Sequence, residues 1–554
     1  MKQYPIAVAV GSLRCDSHRR YAKTTINGVA ALALAISFAS VADAESAADW
    51  PSYNRTLTSE RFSTLTSIDT ANASKLKVLC TFDTGEMTAF QSGLVEVNGA
   101  LLATTEHDTI SINPNTCKLN WRAHEDFPNS YLGSQRGVAV ADGRVFRGSR
   151  NGHVYAYDEK TGARLWDTAV ADMDKGESTP SAPITWNGLV FIGSAGGDNR
   201  GVKGRMYALE AATGKIVWEF YLVPKVPGDP ERGPQGKGAA PASTWKNAPG
   251  VEITGGGAWT SYSLDTAKGE LYVPGGNPAP DFIKGLRKGS NLYAGSVVVL
   301  DARTGDYKRH FSIVPEDFHD YDVSSAPVLL TSKNGTKIMA VTPKDGFIYA
   351  YDLKNDRRLY RLPMTTQFNT KAPMSAKGVR FCPGSQGGSE WNGPAYDVAH
   401  DAIIAGQVDW CSTVHIDDDA KTKSVASAQP WTGSSKDGFG HQDPQSKWAG
   451  WLTSIDAVSG KQRWKFKAPN PVMAGVTPTA GNVVLFGDMG GNLFALNSEN
   501  GAKLAQWDLG GAMGGGLITY DTGAGQRVAV AVGMTSHIWP TPKVTAKIVV
   551  MGLK

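Results

Sequence analysis

Five short segments of this 554-residue chain carry oxygen donors, a cation and a broad aromatic face. They are Ile192-Gly-Ser-Ala-Gly-Gly-Asp198, Gly257-Ala-Trp259, Gly276-Asn277-Pro-Ala-Pro-Asp281, Pro315-Glu-Asp-Phe-His-Asp320-Tyr-Asp322 and Pro343-Lys344-Asp-Gly346. Asp198, Asn277, Asp320 and Asp322 offer carboxylate and amide oxygens, the donors that a hard cation prefers. A carboxylate beside such a cation stays ionised and can accept a proton, which makes Asp320 a candidate general base. Trp259 could lie flat against a planar ring, and Lys344 could stabilise negative charge developing nearby. Taken singly, each has an ordinary structural explanation: a Gly-rich hairpin, a core Trp, a solvated Lys.

These segments must be held by a repeating scaffold. One unit recurs seven times: a short strand ending in an acidic residue or Asn, then a turn usually carrying Gly, then a second strand that often ends in Trp. The copies run Thr109 to Trp121, Val154 to Trp166, Met206 to Trp218, Val297 to Arg309, Ile348 to Tyr360, Leu452 to Trp464 and Leu493 to Trp507. Period-two apolar patterning and a Gly able to take positive φ predict two strands joined by a tight turn, with the Trp packing between neighbouring units. The interval between Asp352 and Asp456 is wide enough for one more unit, and the strand-like stretch from Ala402 to Trp410 is expected to supply it. Eight units of this size predict an all-β, eight-bladed β-propeller with tryptophan-docking repeats. Repeats alone fit an enzyme or a binding scaffold equally well.

Composition agrees with that fold. The 62 glycines, 29 prolines, 15 tryptophans and 18 tyrosines, with 19% charged residues, suit many short strands and tight turns. A formal charge of +4 without a dense Lys/Arg run argues against a nucleic-acid partner. The N-terminus reads as an export signal over residues 1–44: basic Arg19, Arg20 and Lys23, an apolar stretch from Ile26 to Val41, then Ala42-Asp43-Ala44 before Glu45. The mature chain, 45–554, is expected in the periplasm as one propeller domain without a membrane span. Of its cysteines, Cys80, Cys117, Cys382 and Cys411 allow three pairings. Each sequence-neighbouring pair brackets strand-like segments, so Cys80–Cys117 and Cys382–Cys411 are expected. The sequence has no Cys-x-x-Cys-His, so no covalent c-type haem is expected in this chain.

Along nearly its whole mature length the chain resembles the PQQ-dependent methanol and ethanol dehydrogenases, starting with Trp50-Pro-Ser-Tyr-Asn-Arg55 and Arg61-Phe-Ser63. The resemblance implies PQQ and a metal ion as cofactors, with Asp198, Asn277, Asp320 and Asp322 as metal ligands and Asp320 as the catalytic base. It also implies that Trp259 is the floor under the quinone and that Gly196 and Gly197 lie at its edge. Lys344 would reach the quinone oxygens, Arg136 would pair with a PQQ carboxylate, and Gln91 and Trp391 would be further cofactor neighbours. Asp322 matches the extra carboxylate of lanthanide-using members, but Asp198 replaces the usual Glu, so Ca²⁺ is expected, with a lanthanide as the alternative. The implied electron acceptor is a soluble cytochrome c.

Three features set the chain apart. Leu132-Gly-Ser-Gln135 stands where methanol dehydrogenases carry adjacent cysteines, Glu390 stands where many members have Asn, and His319 replaces Trp. The first two predict a substrate bulkier than methanol, a primary or secondary alcohol. Cys382-Pro-Gly-Ser-Gln-Gly-Gly and Val408-Asp-Trp-Cys411 resemble the branch that includes polyvinyl alcohol dehydrogenases. His319 is expected to be a hydrogen-bonded structural residue. The rival is a non-catalytic propeller of the outer-membrane assembly type, which would need none of the metal ligands.

Overall fold

The computed structural model describes residues 49–554; the expected export segment lies outside them. Strands dominate, and the single α-helix among the described residues is Asp419–Ser424. No helix in this region is long and apolar enough to cross a membrane. The strands form eight four-stranded antiparallel sheets. Seven are simple meanders, spanning residues 95–124, 139–169, 184–221, 263–312, 328–363, 395–468 and 477–508. The eighth joins both ends of the chain: Lys77–Asp83 pairs with Lys547–Gly552, beside Gln526–Val532 and Leu517–Asp521.

Each of the seven sequence repeats folds as the third and fourth strands of a meander. All seven carry a register shift near the end of the third strand, as at Ser111/Ile112, Ala156/Tyr157 and Ala495/Leu496. Such a bulge increases local twist and turns the last strand outward. The third strands are buried on both faces, as in His153–Asp158, because the apolar core lies between successive sheets. Phe191 and Trp218 of one sheet, for example, pack with Leu264, Leu271 and Val298 of the next. The fourth strands, such as Arg164–Ala169, keep the period-two alternation of a half-exposed edge.

The repeat Trp connects one sheet to the next. The indole N–H of Trp121 donates to the carbonyl of Glu159 at 2.8 Å, and its ring lies where a Cβ on Gly162 would be only 2.5 Å away. Gly162 has φ 71°, so the position is closed to larger residues by both conformation and space. Trp166, Trp218 and Trp464 repeat this arrangement on Ala211, Ala302 and Ser498, and the hydroxyl of Tyr360 donates likewise to Ala457.

One expectation is corrected. Ala402–Asp409 is not an additional repeat: it is the second strand of the sheet whose third strand is Ala449–Asp456, with Gln407 opposite Trp451. The wide interval instead holds an insertion between these two strands, including Ser412–Val414, the helix and His441–Gln442. The eighth sheet lacks the repeat signature: the remote strand Lys77–Asp83 adds to the meander of Leu517–Asp521, Gln526–Val532 and Lys547–Gly552. Both expected disulfides, Cys80–Cys117 and Cys382–Cys411, are formed.

Glu96, in Val95–Val97, bridges to Trp50 and is almost fully buried with Oε2 unpartnered. Burial, helped by Asp49, pushes its carboxyl up to about 8. A folded-state value above the unfolded one means stability that is present below about 4.5 and lost as pH rises through about 8. Thermal unfolding between pH 5 and pH 9 should therefore show a smaller decline in Glu96→Gln than in the wild type, with the variant the more stable at pH 9. Parallel pH profiles would assign the decline elsewhere.

Candidate active site

The chemically equipped segments all lie at strand ends facing one cavity of about 280 Å³. Gln91, Arg136, Trp259, Asp320, Asp322 and Trp391 sit a few residues before the first strands of five sheets. Gly196, Gly197 and Asp198, then Asn277, then Lys344 follow the second strands Leu189–Gly193, Glu270–Pro274 and Lys337–Val341. In a meander the lead-in to strand one and the loop after strand two lie at the same end. That topology brings residues from distant parts of the chain to one place.

Three carboxylates form the centre. Asp198, Asp281 and Asp320 each present an oxygen within 4.8 Å of the other two. Burial foremost, then the neighbouring Asp322 charge, raises the Asp198 carboxyl to about 6. Burial and the surrounding carboxylates hold both Asp281 and Asp320 well above the usual range. Asn277 is buried beside them with Nδ2 unpartnered.

Asp322 is placed differently from the other expected metal ligands. Its carboxylate accepts from the Asn277 backbone N–H at 2.9 Å and meets Lys344 Nζ at 2.7 Å. Gly276 makes room for it, since a Cβ there would lie 2.6 Å from Asp322 Oδ1. Lys344 Nζ also reaches Asp320 Oδ2 at 3.3 Å, and its backbone N–H donates to the Asp322 carbonyl. Burial opposes the Lys344 charge, but Asp320 and Asp322 outweigh it and hold the ammonium well above its ordinary pKa.

Asp320 sits on a tight turn with φ 63°, a left-handed conformation that Asp tolerates better than most residues. Asp317 shapes the turn, its carboxylate accepting from the backbone N–H groups of His319 and Tyr321. His319 packs among Phe318, Tyr321 and Phe381, with Nε2 unpartnered. Burial lowers its pKa to about 3, so it is a neutral packing residue, structural as expected.

The adjoining part of the cavity suits a flat anion. The guanidinium of Arg136 stacks 4.6 Å from the Trp259 ring centre and 5.1 Å from that of Trp391, and Lys344 Nζ lies 5.6 Å from Trp259. Arg136 donates to the Trp259 carbonyl but leaves Nε unpartnered, as Gln91 leaves Oε1. Gly196 and Gly197 line the cavity, but backbone packing is what demands glycine: a Cβ on Gly196 would meet the Gly176 carbonyl at 2.1 Å. Trp391 is fixed by donating to the Gly514 carbonyl at 2.6 Å. Burial raises the neighbouring Glu390 carboxyl to about 7.

Sequence reasoning missed Asp281 as a member of the carboxylate group; the signal was an acidic residue in an otherwise apolar and Pro-rich stretch. It also missed further residues that line the cavity, the exposed Tyr131 and His537 and, deeper, Phe439, Ile538 and the buried Trp539. Tyr131 stacks on His537 with centroids 4.8 Å apart. These residues lie on irregular loops that share no repeat or motif.

Fold and site together define an all-β, propeller-like protein with a buried oxygen-donor cluster beside an aromatic, cation-flanked slot. A family model described as glucose/ethanol/alcohol dehydrogenase, β-propeller domain, labelled PQQ, matches residues 50–365. The chain belongs to this PQQ-dependent alcohol dehydrogenase family, and it is an oxidoreductase. A second model, described as outer membrane protein assembly factor BamB, matches only residues 449–535. Quinohemoprotein alcohol dehydrogenase ADH-IIG of Pseudomonas putida is 29% identical, over 88% of this chain and 72% of that protein. The lanthanide-dependent methanol dehydrogenase of Methylacidiphilum fumariolicum is 25% identical, over 85% and 82%. Among solved structures, the quinohemoprotein alcohol dehydrogenase of Comamonas testosteroni superposes with a TM-score of 0.80 at 24% identity, over 91% of this chain and 80% of that one. At that identity the likeness shows the fold.

Proposed function

We propose that this chain is an exported, periplasmic dehydrogenase that oxidises a bulky primary or secondary alcohol at PQQ and a hard cation, and passes the electrons to a separate cytochrome c. The observation that carries the reading is the adjacency of the three-carboxylate cluster to the Trp259 face and its flanking cations. The donor set fits the cofactors. Asp198, Asn277 and Asp320 are oxygen donors suited to Ca²⁺ or a lanthanide, and Asp322 orients Asn277 and Lys344. Trp259 offers a flat face, and the unpartnered Nε–H of Arg136 is available to an anion. Bound PQQ supplies the two-electron acceptor.

In this reading Asp320 takes the substrate hydroxyl proton, Lys344 holds Asp320 in place and balances its charge, and the Trp259 and Trp391 rings exclude water. The aromatic and apolar mouth, with Tyr131 64% and Leu132 40% exposed, supports a substrate larger than methanol. It agrees with the sequence likeness to the polyvinyl alcohol dehydrogenase branch. We further take the eight sheets as eight blades of one closed propeller, and residues 1–44 as a removed export signal.

The test strips cations with a chelator, then adds back PQQ and Ca²⁺ or a lanthanide and screens alcohols with an artificial electron acceptor. Turnover should require both PQQ and a cation, and bulky secondary alcohols should outperform methanol. Full turnover with NAD and no PQQ would refute the function, and a clear preference for methanol would refute the proposed substrate class.

A further inference from the structure

Asp281 is fully buried and neither of its carboxylate oxygens has a hydrogen-bond partner. The nearby cation does not satisfy it. Arg287 donates from Nε to the Pro280 carbonyl, from Nη2 to the Asp281 carbonyl and from Nη1 to Asn291 Oδ1. A buried carboxylate with no proton donor and no ion pair is costly, and a chain retains one where something else neutralises it. The Asp281 carboxylate instead faces Asp198 and Asp320, and the unpartnered Asn277 amide, 2% exposed, lines the same cavity.

The spacing suits one ion. Oxygens on opposite sides of a cation with bonds of about 2.4 Å lie about 4.8 Å apart, and all three carboxylates meet that limit. Lys344 meets Asp322 at 2.7 Å and Asp320 at 3.3 Å, so with Asp322 counted in, its one positive charge leaves three carboxylate charges to be balanced. A divalent ion would leave one carboxylate charge of the three uncompensated in a buried site. A trivalent ion matches the three, and each carboxylate attracts it more strongly in proportion to its charge.

We infer that Asp281 is a direct ligand of the active-site cation, additional to Asp198, Asn277 and Asp320, and that it selects a trivalent lanthanide over Ca²⁺. This rests on the reading of the cavity as a cation site. It goes beyond that reading by adding a ligand and naming the ion's charge.

The measurement uses the chelator-treated full protein, titrated with Tb³⁺ while Trp-sensitised emission is followed, then competed with Ca²⁺. Wild type should hold Tb³⁺ against a large excess of Ca²⁺. Asp281→Asn should weaken Tb³⁺ by on the order of a hundredfold, as expected for loss of a buried charged partner, and reduce the Tb³⁺-over-Ca²⁺ preference. Eu³⁺ emission lifetimes in H₂O and D₂O should show about one more bound water in Asp281→Ala, which removes the donor oxygen as well as the charge. Asp281→Glu, which keeps the carboxylate, should hold Tb³⁺ more tightly than Asp281→Asn and guards against a misfolded variant.

Unchanged Tb³⁺ affinity in a folded Asp281→Asn, an unchanged water count in a folded Asp281→Ala, or a wild type preferring Ca²⁺, would overturn the inference. Normal PQQ-dependent turnover in the wild type, measured alongside, would then leave the proposed function standing. Tight, Asp281-dependent Tb³⁺ binding without PQQ-dependent turnover would sink the function and leave the inference. A wild type that binds neither ion overturns both.

Discussion

Asp320→Asn should lower kcat by roughly two to four powers of ten while the protein keeps its cation and its PQQ, the range for loss of a general base. The amide is the same size and retains an oxygen for the cation, so the change removes chiefly the ability to accept a proton. Geometry favours Asp320 over its neighbours. Asp317 is occupied by the backbone N–H groups of His319 and Tyr321, and Asp322 by the Asn277 N–H and Lys344. Asp320 lines the cavity, and the one hydrogen bond found for its carboxylate is the longer one to Lys344, at 3.3 Å. Asp198→Ala should behave differently, weakening cation and PQQ retention because an anionic donor is lost while the base stays. Steady-state kinetics together with metal and PQQ content separate the two. Near-normal kcat in a fully loaded Asp320→Asn would return the role of base to Asp322 or Asp317.

Much of this site was legible because its residues lie in short segments whose types are unusual together. Gly-Asn-Pro-Ala-Pro and Asp-Tyr-Asp stand out against any turn-rich background, and the repeat of acidic residue, turn and Trp states its own packing. The Trp121-to-Gly162 contact follows from that repeat, because the residue that needs space and the residue that grants it recur at fixed positions. What could not be read is what assembles from unrelated segments. The eighth sheet pairs Lys77–Asp83 with Lys547–Gly552, and no local pattern announces such a partner. Ala402–Asp409 imitated a missing repeat because a buried strand looks the same whichever sheet receives it, and the insertion after it supplied the extra length. Asp281 escaped for a related reason: its meaning lies in the partners it lacks, which only three-dimensional packing reveals. The cavity mouth was equally hidden, since Tyr131 and His537 meet across most of the chain length.

Replacing Lys344 by Met should cost the cation-free protein ~3–5 kcal/mol, the penalty for stripping one partner from a buried ion pair. Lys344 is 6% exposed and lies within 3.3 Å of Asp320 and 2.7 Å of Asp322, so its loss leaves both buried carboxylates facing one another. The same repulsion gives the effect a distinctive signature. Adding the active-site cation should recover part of the lost Tm, because a cation beside Asp320 replaces some of the missing charge, and the wild type should gain less from the same addition. Combining Lys344→Met with Asp322→Asn should be more stable than Lys344→Met alone, since the second change removes the carboxylate that was left unpaired. Turnover should stay low in both variants even with the cation bound, because no ammonium then remains beside Asp320 and the Trp259 face. A Lys344→Met protein with unchanged Tm, or a double variant no more stable than the single one, would show that Lys344 does not hold these carboxylates together and that its place over Trp259 has another cause.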